Sequence, residues 1–208
     1  MEKKIYLFAT SKSDRVTSIK SLDVAFLTPK IDFSKYDHLI ITSKQTIKAL
    51  EAYKKSDFID KPAICVSQKT ASYWEKFGGR VLGYGNGYGN SLIHNIKEFS
   101  KDTKWLYLRA RVIASSFVKM AKDEGYNIDE QILYESDCSD EILSVRAEAG
   151  DTLIFTSPSS VDCFLKNNTI DSTSRVIVIG TTTAKSLPDG IEYEMSKKTT
   201  IESLLELL

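Results

Sequence analysis

The chain builds one strand–turn–helix corner twice. The stretch "DHLIITS" at 37–43 and the stretch "DTLIFTS" at 151–157 each run from apolar residues into Thr-Ser and then into an amphipathic segment. Further along, "ICVSQKTASYWEKFGGRV" parallels "IVIGTTTAKSLPDGIEY", which sets Thr70 opposite Thr183. A looser echo links "KKIYLFATSKSD" with "TKWLYLRARVIA", each reading as the opening of a strand–helix–strand unit. Two copies exclude a solenoid and indicate a duplicated domain, with repeat halves at roughly 1–100 and 101–208. Between the corners, short β-rich runs alternate with segments whose apolar residues recur at i, i+3 and i+4. Such alternation specifies an α/β chain: parallel sheets with helices on both faces. Several strand candidates ("KIYLFA", "HLIIT", "AICV", "RVIVIG") are apolar nearly throughout, as burial on two faces requires.

Composition narrows the function classes. Twenty-eight basic residues balance twenty-eight acidic ones, so the chain lacks the positive excess that neutralises phosphates, and no nucleic-acid partner is expected. The N-terminal apolar stretch of "MEKKIYLFATSKSD" is too short for a signal-peptide core or a membrane span, so a cytoplasmic protein with no membrane contact is expected. Cys65, Cys138 and Cys163 are far apart, form no CxxC pair and have only His38 and His94 to help, so no metal site is expected and the cysteines read as buried or incidental thiols. No heptad seam or apolar interface shows, and a monomer is expected.

The corners carry the chemical argument. In open parallel sheets, ligands bind at the carboxyl ends of strands, where the first helical N–H groups have no partner and favour negative charge. "TSK", "SQKT", "TSPSS" and "GTTT" supply four such corners with hydroxyl donors. Taken one at a time each is first a helix N-cap. Capping does not call for the same spacing twice, so the set points to an anionic ligand with several carboxylates or phosphates. No corner has the P-loop or dinucleotide pattern, and no Gly-x-Ser-x-Gly or HExxH motif occurs. The "GYGNGYGN" loop at 83–90 reads as a flexible turn and only secondarily as a ligand edge. With no carboxylate pair in view, a tyrosine could donate a proton without repelling a polyanion. Tyr134 in "QILYESD" ends a strand just before the second Thr-Ser corner. Two readings of such corners need no tyrosine donor. One is a non-catalytic two-lobed module that binds an anionic small molecule. The other is a phosphosugar isomerase-like domain, which would need a Glu or His base at a corner; His38 falls in a strand candidate and His94 in a helix pattern.

In order along nearly the whole chain, "LIITSKQTIKAL", "ICVSQKTASYWEKFGG", "ILYES", "LIFTSPSSVDCFL" and "VIGTTTAKSL" resemble the uroporphyrinogen-III synthase family. The resemblance implies two similar lobes, each a parallel sheet flanked by helices, joined by a two-stranded linker. The first lobe would be 1–29 with 136–208 and the second 33–131, with linkers near 28–32 and 132–135, so the repeat halves would not be the lobes. It implies cyclisation of hydroxymethylbilane, a linear tetrapyrrole with eight carboxylates, to uroporphyrinogen III with loss of water and inversion of ring D, using no cofactor. Carried over by position, Tyr134 becomes the general acid. Thr70, Ser157, Ser159, Thr182 and Thr183 become substrate binders, Thr42 and Ser43 follow by the repeat, and Lys44 and Arg109 are added as cations near the corners. The chain departs from the family pattern at Ser67, where Gly is common. It also lacks a Gly in "LRARV" and an Arg-Pro after the first strand, in "ATSKSD".

Overall fold

The computed structural model describes residues 3–208. The chain divides into two compact units, Met1–Asp23 with Asp137–Leu208, and Val24–Ser136. In chain order the first elements are β1 (Ile5–Ala9), β2 (Thr17–Lys20), β3 (Leu22–Phe26), β4 (His38–Ile41), α1 (Lys44–Leu50), β5 (Ala63–Cys65), α2 (Gln68–Phe77), β6 (Val81–Tyr84) and α3 (Leu92–Ile96). They are followed by β7 (Lys104–Ala110), α4 (Phe117–Asp123), β8 (Asn127–Cys138), α5 (Asp140–Ser144), β9 (Thr152–Phe155), α6 (Pro158–Leu165), β10 (Arg175–Val178), α7 (Thr181–Ala184), β11 (Glu194–Met195) and α8 (Ile201–Leu205).

One sheet has strand order β3-β8-β7-β4-β5-β6 and the other β11-β10-β9-β1-β2. Within them β4 to β8 run parallel, as do β1, β2, β9, β10 and β11. The period of two in a strand explains the near-continuous apolar runs. In β4, Leu39 and Ile41 enter a core with Phe33, Leu50, Phe58 and Trp74, while Ile40 enters the opposite core with Ile64, Trp105, Tyr107 and Phe117. In the other sheet Phe8 packs with Phe155 and Phe164 on one side, and Leu7 with Ile154, Ile177 and Leu204 on the other. Each fully buried side chain of this kind contributes roughly 1.5–3 kcal/mol. His38 is half-buried in β4, edge-on to Phe99 and Trp105.

Every strand candidate overlaps a strand, but four features differ from the sequence expectation. β1 does not open a strand–helix–strand unit: residues 10–16 return without a helix, and Ser13 and Ser18 brace the connection through two hydrogen bonds of 2.9 Å. β2 ("TSIK") was not expected because an edge strand with polar, half-exposed residues leaves no apolar run; α8 was missed as well. Cys138 and Cys163 are not thiols: they form a disulfide with a Cα–Cα distance of 5.4 Å, within the span such a bond bridges. Their 25-residue separation conceals a pairing that the fold creates by bringing the end of β8 to α6. Cys65 remains a buried thiol, and burial pushes its pKa up to about 12.

Candidate functional site

In the unit Val24–Ser136, a register shift places the central tyrosine. Arg109 pairs with Ile132, but Ala110 pairs with Tyr134, leaving Leu133 as an extra residue in β8. A bulge of this kind re-aims side chains. Its effect here is that Leu133 and Tyr134, though adjacent, both enter the core that holds Ile47 and Leu50 of α1. Tyr134 keeps 6% of its surface exposed. Burial holds its pKa above the usual tyrosine value, while the Ser43 and Thr46 hydroxyls beside the phenol pull it partly back. Tyr134 therefore remains a neutral donor throughout the physiological range.

Ser43 caps α1, accepting from the Gln45 N–H at 3.1 Å, and Thr46 donates to the Leu108 carbonyl at 3.1 Å. Both hydroxyls are thereby fixed against the phenol. Thr46 was not singled out from the sequence, although its place one helical turn beyond Ser43 is the signal that could have found it. Thr42 pairs with the Tyr107 hydroxyl at 3.1 Å, a contact between β4 and β7 that only strand register reveals. Lys44 is exposed at the first position of α1. Arg109 is engaged otherwise than expected. Its Nε lies 2.8 Å from Glu130 as an ion pair, and its Nη1 donates to the Ala110 and Arg111 carbonyls at 2.8 and 3.0 Å. Its charge is thus already matched within β7 and β8.

Thr70 is buried in the first turn of α2, where Ser67 accepts from its N–H and lies 3.2 Å from its hydroxyl. The loop after β6 packs beside this corner. The Gly85 and Gly87 N–H groups donate to the Cys65 and Val66 carbonyls at 2.9 and 2.8 Å. Ser91 accepts from the Asn86 N–H at 3.1 Å. A Cβ on Gly85 would lie 2.2 Å from the Ser91 hydroxyl, so glycine is needed there for close packing rather than for looseness. The expected flexible turn is a hydrogen-bonded one.

In the other unit, Ser157 and Ser160 form a reciprocal capping box on α6, each hydroxyl accepting the other's N–H at 3.1 Å, with Pro158 in the first turn. Thr156 donates to the Phe8 carbonyl at 2.8 Å. Ser159 is exposed on the same turn. Because β9 and β10 are adjacent and parallel, this corner and the Gly180–Thr183 corner share one sheet edge. There Thr182 is exposed, while the Thr183 hydroxyl is fully buried without a hydrogen-bond partner. The structure thus groups Thr42, Ser43, Lys44 and Tyr134 around the start of α1. It groups Ser157, Ser159, Thr182 and Thr183 along the edge formed by β9 and β10, and sets Arg109 apart as an internal ion pair.

Among the described residues no helix is long and apolar enough to cross a membrane. The chain matches the family model described as Uroporphyrinogen-III synthase HemD over residues 17–206. Comparison with curated proteins gives no match. Among solved structures the chain is similar to the uroporphyrinogen-III synthetase from Helicobacter pylori 26695, with 23% identity and a TM-score of 0.83, covering 99% of this chain and 98% of that one. It is also similar to a mutant uroporphyrinogen III synthase from the extremely thermophilic bacterium Thermus thermophilus, with 11% identity and a TM-score of 0.65, covering 99% and 96%. At these identities the two structures establish a shared fold.

Proposed function

The chain belongs to the uroporphyrinogen-III synthase family, and from that premise we propose that Tyr134 is the proton donor of the reaction. The activity is that of a cyclising lyase: hydroxymethylbilane closes to uroporphyrinogen III with loss of water and inversion of ring D. Family membership favours this over the non-catalytic binding module. The phenol proton passes to the departing hydroxyl of ring A, which leaves as water and generates a cation conjugated with the pyrrole. Attack from the substituted carbon of ring D then gives a spiro intermediate, whose rearrangement inverts the ring. The proton released on rearomatisation returns to the phenolate. Burial makes that phenolate unfavourable, which speeds its reprotonation, and the neutral phenol does not repel a polyanion.

Closure without guidance joins the unsubstituted carbon, so selectivity is a matter of holding the two chain ends. Thr42, Ser43, Thr70, Ser157, Ser159, Thr182 and Thr183 are the proposed carboxylate holders, through hydroxyls and neighbouring backbone N–H groups. Lys44 adds charge. Arg109 acts at most through the shape of β7, given its ion pair with Glu130. The lobe assignment of 1–29 with 136–208 and 33–131 is part of the same proposal. It is supported by two compact units that interleave in the same discontinuous order, and by chain crossings that fall in β3 and β8, neighbours in one sheet. A cytoplasmic monomer completes the reading.

The observation that carries the catalytic assignment is the grouping of the Tyr134 phenol with the Ser43 and Thr46 hydroxyls. The test is to generate hydroxymethylbilane in situ, add the protein, oxidise the products and separate porphyrin isomers I and III. Isomer III is expected to predominate. Isomer I alone from folded protein would overturn the reading.

A further inference from the structure

Hydroxyls and backbone N–H groups can orient carboxylates but carry no net charge to balance them. In the unit Met1–Asp23 with Asp137–Leu208, the edge that carries the Ser157 and Thr183 corners ends in a loop that the sequence motifs did not include, "SKKTT" at 196–200. β11 pairs in parallel with β10, Val178 facing Met195, so the loop after β11 emerges beside Gly180 and Thr181. It is held firmly. The buried Ser196 donates its N–H to the Val178 carbonyl at 3.0 Å and its hydroxyl to the Lys198 carbonyl at 2.6 Å. The Lys198 N–H donates to the Ser203 hydroxyl at 3.3 Å. A Cβ added to Gly180 would meet Thr199 at 3.8 Å, which puts the loop in van der Waals range of the corner.

Lys197 and Lys198 are exposed, and among the described residues neither has a carboxylate within ion-pair distance. The strand order β11-β10-β9-β1-β2 sets the strand they follow beside β10, which leads into the Thr181–Thr183 corner, and two strands from β9, which leads into the Ser157 corner. Across the same edge Lys12 follows β1. Arg15, the other cation of that connection, donates to the Leu205 carbonyl. Neutral donors at the centre of the edge are thus flanked by lysines. The buried Thr183 hydroxyl, without a partner, lies in the corner that the loop overhangs. Of the acids near them in sequence, Glu194 is taken up by Arg175, its Oε1 lying 2.6 Å from the Arg175 Nε, and Asp14 and Glu202 are exposed.

We propose that Lys197 and Lys198 are positioning residues for the substrate, forming ion pairs with carboxylates held at the Ser157 and Thr183 corners. This rests on the synthase reading. The backbone hydrogen bonds of the loop place the two ammonium groups before substrate arrives, so binding needs little reordering of the chain.

The test compares wild type, the double variant K197A/K198A, the double variant K197R/K198R and the charge control K166A in the isomer assay, with KM and kcat measured over a range of ionic strength. In the alanine pair KM should rise about fivefold, the size expected for two solvent-exposed ion pairs, with kcat within twofold and isomer III still dominant. The salt dependence of KM should flatten, since fewer charges remain to be screened. The arginine pair should restore KM and its salt dependence, and K166A should behave as wild type. An unchanged KM in the alanine pair, or an equal rise in the arginine pair, would overturn the assignment while leaving the synthase standing. Isomer I alone from wild type would overturn the synthase reading and the lysine roles with it.

Discussion

At the residue scale, Tyr134 carries the sharpest expectation. Tyr134→Phe keeps the ring that packs with Ile47 and Leu50 and removes only the proton donor. kcat is expected to fall about 100-fold, the lower bound for losing a general acid, with KM and thermal stability near wild type. Activity near the wild-type level would shift the proton to water or another hydroxyl. The alkaline limb of kcat should lie above pH 10 because burial holds the phenol's pKa above its ordinary 10.0. Cys65 provides a separate stability signal. Burial raises its thiol from an ordinary 9.0 to about 12, so the folded protein favours the protonated form. That contribution is complete below pH 9 and is lost progressively up to about pH 12 as the unfolded chain ionises, amounting to about 4 kcal/mol at most. Melting curves from pH 8 to 12 should show a steady decline, and Cys65→Ala should flatten it from a lower starting point.

At the element scale, α6 joins stability to the proposed substrate grip. Ser157→Ala breaks the capping box and should lower stability by about 1 kcal/mol in urea unfolding. The same variant removes a proposed carboxylate donor, so KM should rise too. A loss of stability without any change in KM would leave Ser157 a cap alone. The disulfide that ties α6 to the end of β8 closes a loop of 25 residues. In the chain-entropy account such a closure contributes about 3.5 kcal/mol. The pair Cys138→Ser with Cys163→Ser should therefore melt earlier than oxidised wild type and match wild type treated with a strong thiol reductant. Equal melting of oxidised wild type and variant would show that the crosslink does not constrain the unfolded chain.

At the scale of the whole molecule, the unit Val24–Ser136 has two cores of its own, and its ends are paired by the Leu27 N–H donating to the Leu133 carbonyl at 2.8 Å. Residues 24–136 expressed alone should fold, with a cooperative melting transition and a near-ultraviolet dichroism signal from Trp74 and Trp105. A broad, non-cooperative transition would show that the remaining chain is needed. What could be read without the structure follows from local rules. Period-two and period-3.6 patterning marked β4, β9, α2 and α6; Thr-Ser at the corners named Ser43 and Ser157 as helix starts; and chain order singled out Tyr134. What escaped depends on partners far apart in sequence. A residue added to β8 at Leu133 decides which core Tyr134 enters, and Glu130 across the β7–β8 pairing takes up the charge of Arg109. The polar edge strand β2 has too little apolar pattern to announce itself, and Cys138 meets Cys163 only after β8 and α6 are placed. Local chemistry along one chain thus determined the parallel α/β class and the corners, because helix caps and strand alternation are settled within a few residues. Register, ion pairing, the crosslink and the division into discontinuous units were decided by tertiary structure, because each is set by contacts that exist only once distant segments have packed.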